Sequence, residues 1–311
     1  MKISKIIVSI LVFSAHILSA QQEQMYTHYD INSLAMNPAY AGTNRTFSAL
    51  MLRRNQWTDW PGAPVYNNLA VQGPINKDFA VGLNIQNGSI GSFQNAAPLS
   101  ETHIGANVAY HKSLNKDWRL AVGLRVGLFN YNVQLSKIIL DNPNDVSFQK
   151  DMTVTTPLAG FGLYLYNKNT FLAVSSPRMV FIKDDIQNQV NLAHAAQMHH
   201  YIIAGTVIGI NSNLVIKPTT QIKLTNGVPS QIDLNVHAIF KEKMSVGAFY
   251  RSEADLGMML SYQLSPVFKA MYSYDYNLKR FDNAQMGSHE FGLLYTLPKF
   301  EKGRMLVPRF F

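Results

Sequence analysis

Apolar and polar positions alternate with a period of two in one segment after another of this chain. In the clearest stretch, 118–133, Leu120, Val122, Leu124, Val126 and Leu128 interleave with Arg119, Ala121, Gly123, Arg125 and Gly127. A strand turns successive side chains to opposite faces, so this pattern predicts one apolar face and one polar face. The same alternation sets Phe79, Val81, Leu83 and Ile85 against Gly82, Asn84 and Gln86, and Ile232, Leu234, Val236 and Phe240 against Asp233, Asn235 and His237. Counted along the chain it predicts about fourteen strands, the last containing Phe291, Leu293, Tyr295 and Leu297. Tyr250, Tyr262, Tyr272, Tyr274, Tyr276 and Tyr295 gather near strand ends, as interfacial girdles do.

The connections alternate in kind. Tight turns are expected at 76–78, 115–117, 167–169, 211–213, 241–243 and 265–266, most of them with Asn, Asp, Ser or Pro. Longer loops are expected at 58–64, 88–98, 134–157, 177–195 and 277–287, with shorter ones at 226–229 and 251–255. Short turns at one end and long loops at the other are the habit of an all-β, transmembrane antiparallel barrel of the outer membrane, with both termini on the periplasmic, tight-turn side.

Composition agrees with that reading. Hydrophobic residues make up 47% of the chain, yet mean hydropathy is only −0.04. No run of 18 apolar residues follows the first twenty, which excludes helical spans. A barrel reconciles the two values because its strands give every second position to the lumen. The first twenty residues, with Lys2, Lys5, the apolar run 6–13 and the small pair Ser19 and Ala20, read as a cleaved signal peptide. The chain holds no cysteine, which rules out disulfides, a thiol nucleophile, cysteine-ligated metal and a lipidated amino-terminal cysteine. The net charge of +8 lacks the compact basic helix that would point to nucleic acid.

The predicted organisation is a signal peptide at 1–20, an amino-terminal plug or periplasmic segment at 21–43, the barrel at 44–298, and a basic carboxy-terminal tail at 299–311. Basic residues crowd the tight-turn end and the tail: Lys77, Lys116, Lys168, Lys241, Lys243, Lys302, Arg304 and Arg309 are the candidate basic rim. They serve either to snorkel towards lipid phosphates or to dock an acidic partner. Arg119, Arg125, Lys217, Lys223, Lys269, Asp233 and Glu290 are expected to face the lumen, where pairing that holds a plug is favoured over an anion-selecting constriction.

An ordered set of short motifs gives the chain a family resemblance. It runs from Asn37-Pro38-Ala39-Tyr40-Ala41-Gly42 through Arg54, Gln56-Trp57 and Pro61-Gly62-Ala63-Pro64. It continues with His200-Tyr201, Pro218, Gln231 with Asp233 and Asn235, and Gly247 with Tyr250-Arg251, and closes with Tyr272-Ser273-Tyr274-Asp275 and Gly287-Ser288-His289-Glu290. In these the chain resembles the PorP/SprF family of the type IX secretion and gliding system of Bacteroidota. The resemblance implies a barrel that works with periplasmic ring lipoproteins or anchors a secreted surface protein, often an adhesin, bearing a carboxy-terminal sorting domain. The partner-binding candidates are Asn37, Pro38, Tyr40, Gly42, Trp57, Pro61, Gly62, Pro64, Tyr274, Asp275, Ser288, His289 and Glu290. A porin-like or fatty-acid-channel-like passive transporter is the alternative that the strand number also fits.

No enzyme, cofactor or metal is expected. Ser288-His289-Glu290 invites a hydrolase reading, but strand alternation puts His289 on the face opposite to Ser288 and Glu290. His194, His199 and His200 come without a carboxylate or thiolate pattern to complete a metal site.

Overall fold

The computed structural model describes residues 24–91, 98–137, 151–180, 198–226, 228–252, 255–278, 287–301 and 304–306. The strands are β1 (Ser48–Asn55), β2 (Val65–Pro74), β3 (Phe79–Ile90), β4 (Leu99–Ser113), β5 (Arg119–Val133), β6 (Met152–Tyr166), β7 (Thr170–Val180) and β8 (His199–Thr206). They continue as β9 (Ile208–Asn211), β10 (Leu214–Thr225), β11 (Gln231–Phe240), β12 (Met244–Arg251), β13 (Asp255–Gln263), β14 (Phe268–Asn277) and β15 (Gly287–Thr296). Apart from β8 and β9, each pairs antiparallel with its neighbour in sequence. β8 and β9 are two halves of one crossing, interrupted at Val207 and both paired to β10. The β1–β15 ladder, in which Ser48 faces Thr296 and Arg54 faces Glu290, closes a barrel of fourteen crossings. Closure leaves no sheet edge, which is what a bilayer demands of strands.

Alternation puts the apolar face outside. Leu124 and Val126 on β5 are more than 60% exposed, whereas Arg125 between them is 4% exposed and points inwards. Bands of aromatic contact ring the tight-turn end, where Phe47 and Phe268 pack against Tyr295 and Phe79 against Tyr110.

One device builds most of the tight turns. The Oδ1 atoms of Asn76, Asn115 and Asn167 each accept two backbone N–H groups from residues two and three positions on, at 2.7–2.9 Å. Asn211 accepts one from Asn213 and Ser265 accepts from Val267 and Phe268. These side chains mimic a turn of backbone and so stop one strand and start the next. The remaining turn is made differently: Lys241 and Glu242 both take positive φ, 48° and 56°, inside a turn closed by Lys243 N–H on Phe240 O at 2.9 Å.

Three expected loops prove shorter. β3 runs to Ile90, β6 starts at Met152 with Pro157 inside it, and β7 continues through Pro177 to Val180. Proline is tolerated here because Pro157 lies beyond the last β6–β7 pair, Leu158 with Val180, and Pro177 sits where the register shifts between Ala159 and Phe161. The tail contributes a separate hairpin, β16 (Lys299–Glu301) with β17 (Arg304–Leu306).

The barrel strands begin and end at the tight-turn end. Gln24 does not: its amide donates to Glu101 at 3.0 Å, close to where β4 emerges from a long loop. Gln21, the expected first residue of the mature chain, lies outside the described residues. From Gln24 the chain descends inside the barrel through the one-turn helix α1 (Ser33–Met36) and a 3-10 turn (Pro38–Tyr40), and reaches the opposite end at Gly42 before entering β1.

Candidate functional site: the filled lumen

The descending segment is the hydrophobic core of the molecule. Tyr26, Tyr29, Leu34, Ala39 and Tyr40 are each at most 3% exposed and pack on inward side chains such as Leu50, Tyr66, Tyr164 and Phe171. Three polar anchors fix its height and rotation.

The anchor near the long loops spans the closing seam of the barrel. Glu290 of β15 accepts the backbone N–H groups of Thr27 (3.0 Å) and His28 (2.9 Å), and its Oε1 lies 2.8 Å from His28 Nδ1. Thr27 Oγ1 donates to Asp275 and accepts from Arg54 Nη1 at 3.0 Å, while Arg54 Nη2 lies 2.6 Å from Asp275. Next to it Arg251 pairs with Asp233 at 3.0 Å and Asp255 at 3.2 Å. Arg54, Asp233, Arg251, Asp275 and Glu290 are all at most 2% exposed. In so dry a place each charge depends on its partner, because an unpaired buried ion is strongly unfavourable.

Halfway down, Asp30 meets Lys217 at 2.7 Å, and Asn32 accepts from Asn68, which accepts from Asn84. Arg125 reaches across the lumen to the carbonyls of Leu34 and Ala35 at the short helix and to Pro177 O, with Nε held by Asn107 at 2.7 Å. A guanidinium there satisfies carbonyls that a one-turn helix leaves open.

The third anchor is a trough of small residues. Asn37 Nδ2 donates to Leu163 O at 2.9 Å, and Asn37 Oδ1 accepts Ala39 N–H at 2.8 Å. His111 Nε2 donates to Ala41 O at 2.7 Å, and Gly42 N–H donates to Gln72 at 3.1 Å. The turn lies so close to the wall that a Cβ on Gly123 would overlap the Ala39 backbone, and one on Gly162 would overlap the Asn37 side chain. Glycine is needed at these two sites for close approach.

The structure divides the candidate residues into three places. Asn37, Pro38, Tyr40 and Gly42 are buried in the lower lumen. Asp275, Ser288 and Glu290 are buried near the long-loop end, where Trp57 N–H donates to Ser288 Oγ at 3.2 Å and Gly62 O accepts from Gly91 N–H at 2.7 Å. Trp57, Pro61 and Gly62 are at least partly open to solvent there, whereas Pro64 is buried. His289 and Tyr274 face outwards beside each other, ring centroids 5.0 Å apart, so Ser288, His289 and Glu290 do not converge. Asp275 and Glu290 meet the inner segment at Thr27 and His28.

Lys77, Lys116, Lys168, Lys241 and Lys243 are exposed on the tight turns at one end. Arg304 lies in the tail hairpin, and Lys302 and Arg309 lie outside the described residues. His194 also lies outside them; His199 bonds Thr225 at 2.7 Å while His200 faces out. Among the described residues no group of three or more metal-ligating His, Asp or Glu side chains gathers. Sequence reasoning missed the partners of Glu290, namely Arg54, Thr27 and His28; the inward parity of Arg54 was the available signal.

The profile of the family described as Type IX secretion system membrane protein PorP/SprF matches residues 18–295. No curated protein gives a sequence match. Among solved structures the fold is similar to that of the Ralstonia pickettii toluene transporter TbuX, with 11% identity and a TM-score of 0.51 over 85% of this chain and 92% of that one. It is similar to the same degree to the CymD monoaromatic hydrocarbon channel, with 11% identity and a TM-score of 0.51 over 88% and 94% of the two chains. At that identity the likeness is one of barrel fold.

Proposed function

Because the chain belongs to the PorP/SprF family of type IX secretion system membrane proteins, we propose that it is a plugged outer-membrane barrel that engages or anchors secreted surface proteins and docks the periplasmic secretion machinery. The family match over almost the whole chain carries this reading. In it the tight turns face the periplasm and the long loops face outwards. The exposed Lys77, Lys116, Lys168, Lys241 and Lys243 then form a basic rim suited to an acidic ring component. The loop surface around Trp57, Pro61 and Gly62 receives the secreted protein, and buried Ser288 and Glu290 link that surface to the inner segment through Trp57, Thr27 and His28.

The filled lumen supports this over passive transport, since Arg125, Lys217 and Glu290 bind the inner segment instead of lining open water. The test is complementation of a deletion strain, reading delivery of surface protein to the cell exterior. Wild type should restore delivery, and a Lys77, Lys241, Lys243 triple Glu variant that folds normally should not. Full delivery by that variant would overturn the docking role.

A further inference from the structure

Lipid-facing positions of a membrane barrel are apolar because a charge there is destabilising according to its depth. On the outward-facing positions of the described barrel strands only two charged side chains occur, Lys112 and Arg53. Lys112 stands at the tight-turn end of β4, where it reaches water. Arg53 does not share that position. It lies six residues beyond Phe47 of the tight-turn girdle, which at strand rise and tilt is about 15 Å up an apolar band about 25 Å tall.

Arg53 is exposed and makes no ion pair among the described residues. Its Nη1 donates to Asn67 Oδ1 at 3.1 Å, which holds the guanidinium against β2. Asn87 of β3 stands directly opposite Asn67. Below these three polar groups the outer wall is indented. The depression crosses β14, β15, β1, β2 and β3, with Ala270 low in it and Met51, Leu69, Ile85, Phe291 and Leu293 around it. The result is a largely apolar depression on the lipid face, headed by a guanidinium that has no ion pair among the described residues.

We propose that this trough is a lateral lipid site in which the phosphate headgroup of an anionic membrane lipid sits on Arg53 and Asn67 and one acyl chain lies over Ala270. Charge complementarity selects the headgroup, since a guanidinium offers a planar fork to phosphate oxygens. The site is separate from the lumen and from the proposed secretion role, so failure of either leaves the other standing.

The test is native mass spectrometry of the full chain in mild detergent, titrated with phosphatidic acid, phosphatidylcholine or oleate, with unboiled gel mobility confirming a folded barrel. Phosphatidic acid should remain bound at one per barrel, and Arg53→Met should weaken it about tenfold. Ala270→Trp, which fills the trough and keeps the arginine, should weaken it as well. Equal retention of phosphatidic acid by Arg53→Met, or an oleate preference with the same Arg53 dependence, would overturn the proposal. So would a co-purifying protein lost on Arg53→Met with lipid retention unchanged.

Discussion

Gly123→Ala should loosen the segment inside the barrel while leaving the barrel wall intact. The added Cβ overlaps the backbone N and Cα of Ala39 and the carbonyl carbon of Pro38, so no side-chain rotation relieves it. The 3-10 turn starts at Pro38, whose ring fixes φ, so the turn moves as a unit. Overpacking of this kind costs about 3 kcal/mol, the upper end of the usual range, which is about 150-fold in the ratio of seated to unseated segment. The chain has no cysteine, so a single Ser33→Cys reporter on the buried helix can be followed with a maleimide. Labelling should be slow in the reporter protein and up to about 150-fold faster with Gly123→Ala. Gly209→Ala, where an added Cβ meets nothing within 4 Å, is the control and should leave the rate unchanged. Unaltered labelling in a folded Gly123→Ala barrel would refute the close seating of 37–42 against β5 and β6.

Removing Arg54 as Arg54→Met strands Asp275 and Glu290 in a dry site and should destabilise the fold by about 3–5 kcal/mol, read from urea unfolding on unboiled gels. Adding Asp275→Asn and Glu290→Gln should recover part of that loss; no recovery would mean that the two carboxylates are not what Arg54 neutralises. Lys217→Met leaves Asp30 without its cation and should speed Ser33→Cys labelling, whereas Lys168→Met on an exposed turn should not. In planar bilayers the intact barrel should carry little current, and deletion of 24–42 should open steady conductance; large currents from the intact protein would return the passive-transport alternative to favour.

The wall was legible in the sequence because a period of two decides which side chains turn inwards. Arg125, Asp233 and Glu290 follow from parity alone, and the asparagines at 76, 115 and 167 follow from turn chemistry. Pro157 and Pro177 read as loop because proline removes a ladder donor, yet one stands past the end of a ladder and the other at a register shift. The lock between Arg54 and Glu290 was hidden for another reason. It depends on which residue of the first strand faces which residue of the last, and closure across nearly the whole chain leaves no local signal of register. The segment 24–42 has neither strand nor helix periodicity, so its sequence fits a plug and a tether equally; its seat is written in the wall instead, in Gly123, Gly162 and the inward polar side chains.

The most direct test of the secretion role is affinity purification of a tagged copy from native outer membrane in mild detergent, with mass spectrometry of what accompanies it. Periplasmic ring lipoproteins or a large secreted surface protein, lost when the Lys77, Lys241 and Lys243 rim or the Trp57 loop is altered, is the predicted result. A barrel recovered alone, under conditions in which the secretion machinery stays assembled, would contradict it.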